Sequence, residues 1–114
     1  NFLTEGISKI DGISILNAEH IIPFKAKAWI DLTYRKEHGE LIDSKDIKKH
    51  RNDIIRLSTL LSPNLNITLP NKIKEDLSFF IQKLNEEEFS LKQLGINHIS
   101  KEKLIQFLNQ FYNL

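Results

Sequence analysis

The sequence predicts a mainly α-helical domain, like a four-helix bundle, with a short β-hairpin at its N-terminus. Four segments place apolar residues three and four positions apart, which is the period of an amphipathic helix. Each segment is bounded by Asn, Ser, Pro or Gly, residues that favour helix ends. Two short β-branched runs around a turn signal precede them. With 114 residues, the chain fits one domain with its own core, spanning 1–114.

Residues 7–16 predict the hairpin. Four isoleucines in this segment are β-branched, and the Asp11-Gly12 pair between them is typical of a tight hairpin turn. We therefore expect strands over 8–10 and 13–16. Two strands alone are marginally stable, so we expect them to lie against the helices or against a sheet in an adjoining domain.

The first two helices are predicted over residues 18–37 and 45–61. Asn17 and Ser44 are favourable N-cap residues, and Gly39 can end the first helix in the left-handed conformation. The apolar residues of the first helix form more than one stripe, so we expect burial on most of its sides. The second helix has one inward-facing stripe, made of Ile47, Ile54, Leu57 and Leu61.

Two further helices are predicted over residues 71–87 and 101–112. Pro70 suits the start of the third helix, and Ser100 is a favourable N-cap for the fourth. Three glutamates at 86–88 fall at the end of the third helix, where the helix dipole disfavours negative charge. We therefore expect the last turn of that helix to fray.

The composition excludes several classes of function. The chain has no Cys, which excludes disulfides, thiolate metal sites and cysteine catalysis and suits a reducing compartment such as the cytoplasm. Its 16 Lys and Arg nearly balance 15 Asp and Glu, whereas nucleic-acid-binding proteins usually carry a basic excess. No apolar run approaches the roughly 18 residues of a membrane span. The chain has no Met and opens on Asn1, so we expect it to be a fragment of a longer protein.

Two features break the helical pattern and supply the candidate functional residues. Lys25 has only apolar neighbours three and four residues away along the first helix. An unpaired ammonium in such surroundings is costly, so this side chain either extends to solvent or faces a cleft and an anion. Asp46, His50 and Asp53 share one face of the second helix. Their spacing suits a metal or a general base, with an ordinary solvated face as the alternative.

The stretch from Ile15 to Leu61 resembles the C-terminal half of nucleotidyltransferase-like proteins of the bacterial AbiEii/AbiGii toxin family. One helix of that family carries a Lys-x-x-Ala pattern after an acidic residue. Glu19, Lys25 and Ala28 match this pattern. Arg35 matches an arginine that often lies between this helix and the next pattern.

A later helix of the family carries a basic-Asp-x-x-Asp-like pattern followed by Leu. Lys49, His50 and Asp53 match it, although His50 stands where the family usually has Asp. The resemblance implies that Lys25 contacts the triphosphate of a nucleotide and that Asp53 orders the site or its cation. It implies the same nucleotide site for Lys49, His50 and Arg35.

The implied function is that of the helical C-terminal region of a nucleotidyltransferase-like protein in a toxin–antitoxin or phage-defence system. The Gly-Ser and paired-Asp active site of the family lies in an upstream domain and has no counterpart in this chain. We therefore assign no catalytic and no metal-binding residue here. Mg²⁺ and a nucleoside triphosphate are expected only in the full-length protein. The expected partners are that upstream domain and an antitoxin protein.

Two other functions stay open. The apolar C-terminal run favours a helical protein-interaction module without catalytic activity, and burial of both Phe107 and Phe111 would argue against it. Nucleic-acid binding through residues 45–56 is weaker, because the charges there are of mixed sign. The C-terminal run consists of Phe107, Leu108, Phe111, Tyr112 and Leu114.

Overall fold

A computed structural model describes residues 7–10 and 13–114, with side chains from residue 17 onward. This part of the chain is mainly helical and contains four α-helices, as the sequence predicts. None of the helices described is both long enough and apolar enough to cross a membrane. The helices are α1 Ala18–Glu37, α2 Ser44–Ser58, α3 Asn71–Glu86 and α4 Lys101–Phe111, and a 3₁₀ turn spans Lys92–Leu94.

Two short extended segments precede the helices, β1 Ile7–Ile10 and β2 Ile13–Leu16. Their backbones pair antiparallel, with Ile7 opposite Leu16 and Ile10 opposite Ile13. The Asp11-Gly12 turn that would join them lies outside the described residues. The complete hairpin therefore stays a prediction.

The ends of α1 follow the sequence in part. Asn17 precedes the helix with an extended backbone, but its side chain does not cap the helix as predicted. Gly39 follows the helix with a φ of +90°. This left-handed conformation is the one that glycine adopts at little cost, so the predicted stop signal operates.

Helix α1 is covered on most of its sides, as predicted. Ile22, Ala26 and Trp29 are buried, and Phe24 and Ile30 are half-buried. The reason is that α2 covers one side of α1 and α3 covers another. The exposed residues of the helix are Lys27, Asp31, Tyr34, Lys36 and Glu37.

Helix α2 is shorter than the predicted 45–61. It begins at Ser44 because Asp43, not Ser44, is the N-cap: Asp43 Oδ1 accepts a hydrogen bond from the backbone N–H of Lys45 at 2.9 Å. It ends at Ser58, and the next three N–H groups bond to carbonyls only three residues back. Such bonds tighten the end of a helix. Leu61 still reaches the core, as its place in the predicted stripe requires.

Helices α3 and α4 end within one residue of the prediction. Ser100 caps α4, because its Oγ accepts from the backbone N–H of Lys103 at 3.2 Å. The end of α3 receives hydrogen bonds from outside the helix. Nζ of Lys101 donates to the carbonyls of Asn85, at 2.9 Å, and Glu87, at 2.6 Å. These contacts satisfy terminal carbonyls that have no partner within the helix.

The core lies where α2 and α3 pack against α1, and α4 packs against α3. Phe80 of α3 is fully buried and meets the Trp29 ring edge-on, with the ring centroids 5.2 Å apart. Tyr112, after α4, is also fully buried, and its hydroxyl donates to the carbonyl of Glu19 at 2.9 Å. Burial, together with the charge of Glu19, raises the pKa of Tyr112, which keeps this donor protonated. The end of α4 is therefore fastened to the first turn of α1.

Candidate functional site

Lys25 of α1 and Asp53 of α2 are in direct contact. Nζ of Lys25 donates to Oδ2 of Asp53 at 3.1 Å, and the two side chains are only 27% and 23% exposed. Lys25 therefore neither extends fully into solvent nor lacks a counterion. The anion that its apolar surroundings call for is a carboxylate of the same chain.

Asp53 is also close to two further cations. Nζ of Lys49 lies 3.6 Å from Oδ2, and a guanidinium nitrogen of Arg56 lies 4.0 Å from Oδ1. We call Lys25, Lys49, Asp53 and Arg56 the α1/α2 charge cluster. Lys49 is 70% exposed and Arg56 is also largely exposed, so these two contacts add little to stability. Three cations around one carboxylate leave a net positive charge facing solvent, which attracts anions.

The pKa of Asp53 reflects two opposing influences. Partial burial raises it, whereas the hydrogen bond and positive charge of Lys25, followed by those of Lys49, lower it. The lysines prevail, and the pKa of Asp53 lies below its ordinary value. The carboxylate is therefore ionised at neutral pH and keeps its hold on Lys25.

His50 lies beside the α1/α2 charge cluster but does not add to its charge. Burial lowers the pKa of His50, and the nearby charges of Lys25 and Lys49 lower it further, outweighing the acidic groups Asp53 and Asp46. The imidazole is therefore neutral at physiological pH. Its Nδ1 is buried without a hydrogen-bond partner among residues 17–114, and the neutral ring adds no positive charge to the cluster.

The face that carries Asp46, His50 and Asp53 does not form a metal site. Within residues 17–114, no three His, Asp or Glu side chains are placed to hold a metal ion. Lys25 occupies one oxygen of Asp53, and Asp46 is exposed. A cation bound to Asp53 would have to displace an ammonium that already neutralises it.

Arg35 is not part of the α1/α2 charge cluster. It lies ten residues beyond Lys25 along α1, about 15 Å at the helical rise. Its guanidinium contacts Glu40 at 3.0 Å and Asp31 at 3.5 Å. The hydrogen bond that Arg35 donates to Glu40, above all, raises the pKa of Arg35. In this arrangement Arg35 links the end of α1 to the loop that follows, and its implied contact with a nucleotide stays a prediction.

The apolar run at the C-terminus belongs mostly to the core. Leu108, Phe111 and Tyr112 are buried, whereas Phe107 and Leu114 are partly exposed. Burial of both Phe107 and Phe111 would have argued against a protein-interaction module, but only Phe111 is buried. The surface that α4 can offer a partner shrinks accordingly to Phe107 and Leu114.

A network that the sequence did not predict surrounds Arg51 of α2. A guanidinium nitrogen donates to Glu87 at 2.9 Å, and Cζ lies 5.4 Å from the centroid of the Phe89 ring. Nζ of Lys101 approaches the same ring at 5.3 Å. The only feature of the sequence that indicated an ion pair here was the acidic run at residues 86–88. Helical spacing cannot pair residues that lie 36 positions apart.

Breaking the contact between Lys25 and Asp53 is expected to destabilise the fold. Asp53→Asn should lower the free energy of unfolding by about 1–2 kcal/mol, because it leaves a half-buried ammonium without a counterion. Lys25→Met should cost less, since its neighbours are apolar and Asp53 keeps Lys49. The two losses should not add, and we expect a coupling of about 1 kcal/mol. Urea denaturation followed by circular dichroism measures each variant and the double variant.

The pH dependence of stability and a second, exposed ion pair provide two further checks on the contact between Lys25 and Asp53. Because the pKa of Asp53 is lower in the folded state than its unfolded value of about 3.9, the pair stabilises the fold above that pH, and its contribution disappears as pH falls through the folded pKa. Lys72 and Asp76 are also 3.1 Å apart, but Lys72 is highly exposed, so their coupling should stay below about 0.5 kcal/mol. Strictly additive losses for Lys25 and Asp53 at neutral pH would contradict the coupling.

The α1/α2 charge cluster is thus an ion pair within the chain with a cationic, solvent-facing side. Asp53 fixes Lys25, and the exposed Lys49 and Arg56 can turn toward an anion. The side chains described, from residue 17 onward, include no group of three metal-ligating residues. No protein-family model matches the chain, and no curated protein or solved structure is significantly similar to it.

Proposed function

We propose that this helical chain forms one wall of a nucleotide cleft and binds the triphosphate through the α1/α2 charge cluster. The catalytic carboxylates would come from an upstream nucleotidyltransferase domain. The proposal rests on one observation. The family resemblance assigns Lys25 and Asp53 to one site, and although they are 28 residues apart in sequence, Nζ of Lys25 lies 3.1 Å from Oδ2 of Asp53. The parent would be a bacterial cytoplasmic protein of a toxin–antitoxin or phage-defence system, with an antitoxin as its partner.

Within this proposal, Asp53 is a positioning residue and the lysines are the ligands. A carboxylate repels phosphate, but Asp53 holds the ammonium groups of Lys25 and Lys49 close to each other, at 3.1 and 3.6 Å from the same oxygen. Each ammonium has three donors. Lys25 uses one donor on Asp53 and keeps two for phosphate oxygens, whereas Lys49, 3.6 Å from Asp53, keeps all three. Neutral His50 would lie beside these lysines without adding charge.

The N-terminal hairpin would be the junction with the upstream domain. Two strands are marginally stable alone, and β1 and β2 would gain hydrogen bonds by adding to the edge of a neighbouring sheet. Mg²⁺ would enter with the nucleotide and be held by carboxylates of the upstream domain. The role of this chain would be to neutralise and orient the triphosphate.

Titration with MgATP tests the proposal. We expect isotope-labelled protein to show shifted amide signals around Lys25 and Lys49. Lys25→Ala and Lys49→Ala should each weaken binding about tenfold, since each removes a charge-assisted hydrogen bond. Lys72→Ala removes a lysine from a comparable pair on α3 and should leave Kd unchanged. Binding should weaken as salt concentration rises.

Two results would remove the proposal. One is the absence of any shift at millimolar MgATP, and the other is equal weakening by Lys72→Ala and Lys25→Ala. The role in nucleotide transfer is tested separately on the parent gene. A coding region upstream of Asn1 without a Gly-Ser followed by Asp-x-Asp would exclude a nucleotidyltransferase parent.

A second candidate function is a helical protein-interaction module without catalytic activity. It rests on an open groove of about 780 Å³ beside α4, which Phe107, Leu114 and the exposed Leu65 line together with several amide side chains. MgATP binding that depends on Lys25 favours the first function. If the chain binds no nucleotide, the protein-interaction module remains as the candidate function.

A further inference from the structure

A separate cavity of about 490 Å³ lies between α1 and α3. This volume falls within the range of small-ligand sites. Trp29 and Tyr34 of α1 and Phe79 of α3 give it aromatic walls. Tyr34 is 59% exposed and Phe79 is 45% exposed, although both are large apolar side chains. We call this the α1/α3 cavity; none of its lining residues belongs to the α1/α2 charge cluster.

The rim of the α1/α3 cavity is acidic. Glu37, Glu86 and Glu87 line it together with one cation, Lys83. Arg51 neutralises Glu87 at 2.9 Å, and Lys83 lies 3.7 Å from Glu86. Glu37 forms no ion pair within residues 17–114. It is the last residue of α1, where the helix dipole adds further negative potential. One carboxylate at the rim is therefore uncompensated.

Aromatic walls and an uncompensated carboxylate together favour an organic cation. The faces of Trp, Tyr and Phe rings carry negative potential and attract cations within about 6 Å. The cavity already shows this chemistry, because Nζ of Lys83 lies 5.5 Å from the centroid of the Phe79 ring. The Tyr34 ring is held in place by stacking on His38, with the ring centroids 3.9 Å apart. A ligand would thus meet preformed walls.

A buried hydroxyl in the wall is a second, independent feature. Oγ1 of Thr33 has no hydrogen-bond partner among residues 17–114. A helical threonine commonly donates to a carbonyl three or four residues back, so an unpartnered hydroxyl here is unusual and unfavourable. Thr33 lines the cavity, so the described residues leave this hydroxyl unused beside it.

We propose that the α1/α3 cavity binds a small organic cation with an aromatic or branched apolar body. The apolar body lies between Trp29 and Phe79, and the cationic end lies toward Glu37. A ligand of the same shape without the charge loses the attraction of Glu37 and of the ring faces. The site is independent of the proposed nucleotide function.

Trp29 is the only tryptophan in the chain and lines the cavity, so its fluorescence reports on occupancy. We expect phenethylammonium to cause a saturable change in Trp29 emission. The neutral analogue 2-phenylethanol should bind about fivefold more weakly, and the anionic analogue 3-phenylpropanoate more weakly still. Glu37→Gln should weaken binding of the cation about fivefold and leave that of the alcohol unchanged. Glu75→Gln, an exposed carboxylate elsewhere on α3, should have no effect.

Phe79→Ala tests whether weaker binding comes from loss of an aromatic wall of the cavity or from loss of the fold. Because Phe79 lies at the surface, outside the core, circular dichroism of this variant should match that of the parent chain while binding of the cation weakens. Equal affinities for the cation and the alcohol, or no effect of Glu37→Gln, would overturn the assignment of an organic cation. The absence of a saturable change with any of the three probes would overturn the site itself.

Discussion

Phe80→Ala is expected to lower the free energy of unfolding by about 3–5 kcal/mol. Phe80 is fully buried in α3, and its ring packs edge-on against Trp29 of α1. The substitution removes this aromatic pair and leaves a cavity between two helices. Domains of this size are stable by only about 5–15 kcal/mol, so the variant should approach unfolding at physiological temperature. Urea denaturation followed by circular dichroism gives the difference.

The neighbouring Phe79 provides the matched control. It is the same residue type on the same helix, but it is 45% exposed and lies outside the core. Phe79→Ala should therefore change stability by less than about 1 kcal/mol. Equal losses for the two variants would mean that α3 does not present the face described here to α1.

Arg51→Ala is expected to cost about 2–3 kcal/mol. The Arg51 side chain is only 14% exposed, donates to Glu87 at 2.9 Å and packs over the Phe89 ring. Its removal leaves Glu87 without its partner in a partly desolvated position and also removes the contact with the ring. The loss is measured by the same denaturation experiment.

Arg56 on the same helix is the control for charge alone. Its side chain is exposed, and its contact with Asp53 is 4.0 Å long, so Arg56→Ala should stay within about 0.5 kcal/mol of the parent. Arg51→Lys keeps the charge but not the planar guanidinium, and should fall between the parent and the Ala variant. If Arg51→Ala costs no more than Arg56→Ala, the network around Phe89 does not hold α2 to the end of α3.

Local features of the sequence were enough to predict the helices, because helical period and end signals are local. Ser100 at the start of α4 and Gly39 after α1 act as predicted. The start of α2 was one residue off because Asp43 and Ser44 are both good caps. The choice between them depends on the path of the preceding loop. The prediction ran past Ser58 because the stripe continues to Leu61, although the chain turns first.

Sites that depend on tertiary contacts were predicted only in part. The apolar surroundings of Lys25 left two alternatives open, extension to solvent or contact with an anion, and helical spacing could not identify Asp53 as that anion. The pairing of Arg51 with Glu87 could not be predicted, because Glu87 lies 36 residues further along the chain. The α1/α3 cavity depends on which residues of an apolar stripe α3 leaves uncovered. Tertiary packing determines which of these residues stay exposed, and the periodicity of the sequence cannot predict it.

The hydrogen bond from Tyr112 to Glu19 has a consequence for the order of folding. It joins residues 93 positions apart, whereas Lys25 and Asp53 are 28 apart. The entropy cost of closing a loop grows by about 0.6 kcal/mol per doubling of its length, so the larger loop costs about 1 kcal/mol more to close. Helices α1 and α2 can therefore pair early, and α4 docks late. Until α4 docks, Leu108 and Phe111 remain exposed to water and can associate with other partly folded chains.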